Sequence, residues 1–442
     1  MKRFFGREHE IDLLRRQREL ALSGARFTVL TGRRRVGKTA LARQALDDGK
    51  IPYLHLPITR QPETTLCQQL QEEAENVLDL GIHGVCRRFG ELFEELMKES
   101  LRRPFTLVLD EFQEFDRANP GVFGDIQAVW DKYHAKSRMN LVVGGSVNRL
   151  MNKIFFSDAE PLYGRNTGKL ELKPFAPDLI KTIFREYKPR FTADDLLALW
   201  TLSGGVARYV DIMMTERAFT REAMLKAALS DMSAYIDEGR TALAEEFGPD
   251  YGTYFTLLSA IASGKTTTAE LKNELGTDVG GFLTKLEESY GIVSRKLPLF
   301  DRSAGKNGHY QIEDCFFRFW FRFVFKYRYL VELGRYDRLL DIAKRDFNVF
   351  AGYALERYFV WKFMSEGRYT RMGGWWDRKG ENEIDIVCED EADGTLDFYE
   401  VKRDPRRIDL KALERKAEAF FARNPDLKSR RIGFKGLSLG NM

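Results

Sequence analysis

Cysteine is scarce and scattered in this sequence: Cys67, Cys86, Cys315 and Cys388 are the only four in 442 residues, and no two form a Cys-x-x-Cys pair. That spacing excludes a thiolate zinc site and a disulfide framework, and it suits a reducing compartment. Long apolar runs are missing too. No stretch approaches the roughly 20 apolar residues a membrane helix needs, and charges interrupt the first eight residues before a signal-like run can develop. A cytoplasmic chain with no membrane partner is expected. Net charge is also small: 70 Lys and Arg against 66 Asp and Glu leave only +4. A whole-molecule field therefore cannot recruit nucleic acid, and any such contact must come from local patches. What is present, 43% hydrophobic and 31% charged residues, is the composition of a globular protein, and the length suggests about three domains.

Phe27-Thr28-Val29-Leu30 reads as a short buried strand, and Ala40 to Leu46 reads as a helix. Between them runs Gly32-Arg33-Arg34-Arg35-Val36-Gly37-Lys38-Thr39, the G-x-x-x-x-G-K-T pattern that wraps backbone N–H groups around phosphates. Lys38 is placed for the β- and γ-phosphates, and Thr39 for Mg²⁺. A second buried run, Phe105 to Leu109, ends in Asp110-Glu111. Asp110 would hold Mg²⁺ through its water shell, and Glu111 would deprotonate the attacking water. Leu141-Val142-Val143 is a third such strand, and Ser146 beyond it is either a polar sensor near the γ-phosphate or the cap of the helix that follows.

Three further segments carry a family resemblance. Phe5-Gly6-Arg7-Glu8-His9-Glu10 resembles the F-x-G-R-x-x-E box of the archaeal-type, STAND-like branch of AAA-related P-loop ATPases. Leu162-Tyr163-Gly164-Arg165 with Leu170 to Phe175 is similar to the L-x-G-R…L-x-L-x-P-F segment, and Ser203 to Tyr209 to the lid segment G-G-x-P-x-Y, with Ala207 in place of proline. The resemblance implies that Arg7 lies beside the adenine of ATP. It makes Arg165 a candidate γ-phosphate-sensing or finger arginine, in its own subunit or across an interface, and Arg208 a lid candidate. Both could equally be surface ion-pair residues. The oligomeric state stays open.

Residues 254–312 read as three helices followed by two strands, the order of a winged helix. Its third helix starts Asp278-Val279-Gly280-Gly281, acidic and poor in helix propensity, so a structural or protein-contacting module is preferred over a DNA reader. Phe316 to Leu330 is rich in aromatic residues, with Arg318, Arg322 and Lys326 four apart on one helical face. A core helix with snorkelling basic side chains is preferred there over a base-stacking platform.

The last hundred residues have their own chemistry. Asn382 to Val387 and Leu396 to Lys402 alternate as strands do, and Glu400 and Lys402 emerge on one face. A hairpin would bring Asp385 beside them, giving two carboxylates and a lysine for a Mg²⁺ ion and an attacking water. The pattern resembles the D…E-x-K core of the restriction-endonuclease-like superfamily, whose arrangement adds an acid from a preceding helix, here Glu356. Residues 401–442 carry twelve Lys or Arg against five Asp or Glu, a patch suited to a phosphate backbone.

The expected architecture is therefore α/β: a P-loop ATPase core over residues 1–172, a helical lid over 173–245, a winged helix over 246–313, an aromatic and basic connector over 314–345, and a restriction-endonuclease-like domain over 346–442. ATP and Mg²⁺ are the expected cofactors, and DNA or RNA the expected polymer. An ATP-driven signalling or scaffold switch, in which the last domain only binds, is the rival reading.

Overall fold

Parallel strands covered by helices on both faces have no wet side, so they read as continuous apolar runs. Strand β1 (Arg26–Gly32) is buried throughout after its first residue, and so are β3 (Phe105–Asp110) and β4 (Met139–Gly145) along their whole lengths. With β2 (Tyr53–Pro57) and β5 (Gly168–Leu172) they form a parallel sheet of order β2-β3-β4-β1-β5. Alternate side chains serve two cores. Val29, Leu107, Leu109, Leu141 and Val143 face one side, which also receives helices Glu63–Leu78, Phe89–Arg102 and Val122–Tyr133. Leu30, Val108 and Val142 face the other, packed against α1 (Glu8–Leu20) and α2 (Lys38–Leu46).

These features come from a computed structural model describing residues 4–82, 84–146, 149–247, 251–301 and 307–442. The chain separates into two compact units, the first ending at Pro174 and the second running from Phe175 to Met442.

In the second unit, helix α3 (Ala193–Ser203) opens with a capping box from Thr192 and Asp195, which satisfies free N–H groups at its start. Helices Tyr251–Ala262, Thr268–Leu275 and Gly280–Thr284 precede the antiparallel pair β6 (Val293–Lys296) and β7 (His309–Ile312). The aromatic segment that follows is not one regular helix. It runs as Cys315–Phe319, then a π-helical stretch Trp320–Phe325, then Arg328–Glu332. Phe316, Phe319, Phe321 and Phe323 are fully buried, so this is core rather than a stacking platform. Two of its cations do not snorkel, since Arg318 lies over the rings of Tyr353 and Phe350 and Arg322 pairs with Asp346 at 2.9 Å, whereas Lys326 is exposed.

The C-terminal part runs from the 31-residue helix α4 (Tyr336–Glu366) through β8 (Arg371–Trp376), β9 (Glu383–Asp390) and β10 (Thr395–Val401) to α5 (Leu410–Arg423) and β11 (Arg431–Leu437). The sheet order is β11-β10-β9-β8, antiparallel except for the β10–β11 pair. A helix crossing between parallel neighbours explains the exception, since a tight hairpin cannot join them. Phe398, Leu413 and Phe420 fill the space under α5.

Candidate functional site: a phosphate loop and a carboxylate–lysine cluster

The loop after β1 turns on two residues in the left-handed region, Arg35 at φ 68° and Gly37 at φ 102°. Glycine alone adopts the second without a Cβ penalty. Such alternation aims successive N–H groups inward, a concave anion site continued by the N-terminus of α2. Val36 is buried and anchors the turn, while Arg34 and Ala40 are exposed at its rim. Lys38 is buried, and its Nζ donates to the Gly32 carbonyl at 3.0 Å and the Arg33 carbonyl at 3.4 Å. Burial pulls its pKa down against the opposing pull of Glu111 and Asp110.

At the end of β3 the Thr39 hydroxyl donates to Asp110 Oδ2. Asp110 Oδ1 accepts the Glu111 backbone N–H at 3.0 Å. Burial pushes this carboxyl up, but contacts from His55, Thr39 and the Glu111 N–H outweigh it, leaving the pKa below the usual range. Glu111 itself sits at φ 51°, its carboxylate accepting from Gln113 Nε2 at 2.5 Å. Hydroxyl and carboxylate oxygens, side by side beneath a phosphate-wrapping loop, suit Mg²⁺. Register carries Ser146 to the same edge, since Thr31 pairs with Gly145 and Gly32 comes next. The helix-capping alternative for Ser146 involves Val147 and Asn148, which lie outside the described residues. Arg7 precedes α1 at φ 71°, pairs with Glu10 and donates to the Lys173 carbonyl just past β5.

Arg165 is elsewhere. It precedes β5, whose Gly168 pairs with Thr28, so it is level with the start of β1. The four strand steps from Leu172, the partner of Gly32, back to Gly168 already span roughly 13 Å. Its guanidinium pairs with Asp131 at 3.0 Å. In this chain the Arg165 side chain is engaged in that ion pair rather than turned to the loop. Arg208 pairs with Asp211 at 3.5 Å on an exposed face.

Two residues at the nucleotide site escaped the sequence reading. His55 Nε2 is buried without a hydrogen-bond partner, 3.5 Å from Asp110 Oδ2, and Gln113 holds Glu111. His55 carried no signal, because β2 becomes the neighbour of β3 only through sheet order. Gln113 was readable in principle, two residues beyond Glu111.

In the C-terminal sheet, Tyr399 pairs with Ile386, which sets Glu400 opposite Asp385. Asp385 Oδ2 accepts the Val401 N–H at 2.7 Å and Lys402 Nζ at 3.0 Å, and the same ammonium is 3.6 Å from Glu400 Oε1. Glu400 also accepts the Asp409 N–H at 2.7 Å and lies 3.9 Å from Lys416. Burial lowers the Lys402 pKa, yet Asp385 and Glu400 raise it further and win. Glu356 on α4 is pushed up to about 8, by burial first and then by Asp385 and Glu383. The four residues thus converge, with Lys402 rather than a third carboxylate bridging Asp385 and Glu400. Among the described residues no group of three or more His, Cys, Asp or Glu side chains stands ready to hold a metal. The basic patch is partly spent, since Arg403 pairs with Asp194 and Arg406 with Asp404.

A five-stranded parallel sheet with a phosphate loop after β1 and an acidic pair after β3 is the fold of a P-loop NTPase. Residues 3–129 match the AAA ATPase domain family, and residues 320–415 match a family described as archaea bacterial proteins of unknown function. The chain therefore carries an AAA ATPase domain in its N-terminal part and that second domain in its C-terminal part. An uncharacterised protein of Methanocaldococcus jannaschii is 26% identical over 424 residues, covering 93% of this chain and 90% of its own length. The Walker-type ATPase of Pyrococcus abyssi superposes with a TM-score of 0.55 at 19% identity, over 72% of this chain and 96% of that one, which shows a shared fold. Among the described residues no helix is long and apolar enough to cross a membrane.

Proposed function

We propose that ATP binding and hydrolysis regulate a metal-dependent phosphodiesterase site in the C-terminal domain, acting on nucleic acid. The loop N–H groups and Lys38 bind the β- and γ-phosphates, and Thr39 and Asp110 provide the oxygen ligands for Mg²⁺. When bound, that ion neutralises charge on the transferred phosphoryl group. Glu111 takes the proton of the attacking water, with Gln113 fixing the carboxylate.

The observation that carries the second half is the cross-strand pair Asp385 and Glu400 bridged by the Lys402 ammonium. Their oxygens suit a divalent cation, which would supply an activated water there. Lys402 steadies the nucleophile or the charge developing on phosphorus. Glu356, its carboxyl pushed up by burial and then by Asp385, favours its protonated form and is able to give up a proton close to Asp385. The order of helix, Asp strand and Glu-x-Lys strand supports a restriction-endonuclease-like domain.

Regulation is supported by α3, in the segment the resemblance assigns to the lid. Trp200 Nε1 donates to the Ala354 carbonyl at 3.0 Å, two residues before Glu356. Asp194 pairs with Arg403, the neighbour of Lys402, and with Arg221 at 2.9 Å. A displacement of α3 would reach both sides of the carboxylate cluster. The module 251–312 acts in this reading as a winged helix that contacts protein.

The rival reading, a switch whose last domain binds without cleaving, draws on the lysine bridge where a third acidic ligand would complete a metal site. Labelled DNA and RNA incubated with the chain, Mg²⁺ or Mn²⁺, with and without ATP, separate the two. Cleavage by the parent and its loss in Asp385→Ala, with ATP turnover kept within about twofold because the sites are in separate units, support regulation of a nuclease. No cleavage by the parent under any of these conditions leaves the binding module.

A further inference from the structure

The chain leaving β6 does not stay with its hairpin. Leu299 N–H donates to the Gly374 carbonyl of β8 at 2.9 Å, and the Phe300 ring meets Phe420 of α5 edge-on at 5.9 Å. Phe300 holds φ at 63°, a region a bulky side chain adopts only under strain. Strain of this kind persists where the surrounding structure enforces it, and such places cluster at binding sites.

Beside this turn is an open cavity of about 410 Å³, walled by Phe300, Trp375 and Trp376 and edged by Arg378, Arg423 and Asn424. That volume is in the range of small-ligand pockets. Its polar groups are set for recognition. Trp375 is 2% exposed, and its indole N–H has no hydrogen-bond partner among the described residues. Asn424, also 2% exposed, spends its amide N–H on the Phe420 carbonyl at 3.1 Å, which leaves the amide oxygen to accept. Arg378 and Arg423 are exposed and make no ion pair among the described residues. Asp301 also lines the cavity, so its described lining carries two cations against one anion.

The cavity adjoins the carboxylate cluster. Trp375 pairs with Ile384 and Trp376 with Glu383, the two residues just before Asp385. One strand spacing and one or two residue steps separate their backbones from Asp385 by roughly 6–8 Å.

We propose that this cavity binds one unpaired nucleotide of single-stranded DNA or RNA, holding the adjoining phosphodiester near Asp385, Glu400 and Lys402, and in that second part it rests on the phosphodiesterase reading above. Phe300 and Trp376 take the face of the base, a contact open to every base. Trp375 and Asn424 offer one donor and one acceptor to its edge. Arg378 and Arg423 take the flanking phosphates.

The test uses the full chain and short fluorescein-labelled single-stranded DNA and RNA, with blunt duplex DNA as comparison, read by anisotropy without divalent cation. In Arg378→Ala/Arg423→Ala the single-strand Kd should rise about tenfold or more, with duplex binding and ATP turnover unchanged. Phe300→Gly removes the ring and relieves the positive φ together, so weakened binding with an unchanged melting temperature is also expected. Which arm, DNA or RNA, loses more names the polymer. Unchanged single-strand affinity in both variants overturns the proposal, whether or not the chain cleaves. Asp385→Ala should keep the affinity and lose cleavage. A chain that never cleaves, yet loses single strands in the arginine variant, retains the nucleotide site and discards the phosphodiesterase.

Discussion

Gly144 offers a way to disturb the proposed Mg²⁺ ligands without touching a polar group. A Cβ added there would lie 2.8 Å from Asp110 Oδ1. Ordinary contact begins near 3.4 Å, so the carboxylate or β4 must yield by about 0.6 Å. Asp110 has little freedom to yield, because Oδ1 accepts the Glu111 N–H and Oδ2 the Thr39 hydroxyl. Rotation away from the new methyl breaks at least one of these contacts. A misplacement of about 1 Å at a reacting centre costs on the order of a hundredfold in rate, so Gly144→Ala should lower ATP turnover by roughly ten- to a hundredfold. Overpacking should also cost about 1–3 kcal/mol of stability. ATP affinity should change little, because Lys38 and the loop N–H groups keep their places. Phosphate release at saturating ATP measures the first effect, thermal unfolding the second, and equilibrium binding of a fluorescent ATP analogue the third. Turnover equal to the parent's in a folded Gly144→Ala chain would refute the reasoning, since Asp110 would then not be placing the ion.

Glu111→Gln should bind ATP with parental affinity and hydrolyse it about a hundredfold more slowly, because the amide keeps the Gln113 contact but accepts no proton; phosphate release against analogue binding checks it. Glu356→Gln tests the raised carboxyl. A folded pKa of about 8 lies above the unfolded value, so Glu356 supports the fold fully at low pH and loses that support as pH rises toward 8. Denaturant melts of the parent should therefore weaken between pH 5 and 8 more than those of the glutamine variant. Equal slopes would mean Glu356 is ionised like an ordinary surface acid. Trp200→Ala removes a side chain 2% exposed that packs on Tyr358 and Trp361, and it should cost about 3–5 kcal/mol in denaturant melts.

The nucleotide site was readable because its chemistry is local. A phosphate loop needs Gly37, Lys38 and Thr39 within one turn, and the acids need only end a buried strand. The hairpin that carries Asp385, Glu400 and Lys402 was legible for a similar reason, since alternation fixes which side chains share a face. Features set by long-range pairing were not legible. Arg165 became a candidate only through the resemblance of its L-x-G-R segment, and parallel register sends residues before β5 toward the far edge of the sheet. Arg318, Arg322 and Lys326 would line one face of an α-helix, yet the π-helical turn at Trp320–Phe325 changes the residues per turn. The ion pair of Asp194 with Arg403 joins positions 209 residues apart, and no sequence period foretells it.

The central claim is that nucleotide state controls the C-terminal site, and the most direct measurement is the rate of nucleic-acid cleavage as ATP is titrated at fixed free Mg²⁺. The parent rate should change severalfold as ATP saturates, while Lys38→Ala, which has lost the ammonium proposed to meet the β- and γ-phosphates, should give a flat line at the ATP-free value. A parent whose cleavage is the same with and without ATP, or a Lys38→Ala chain that responds as the parent does, would contradict the account.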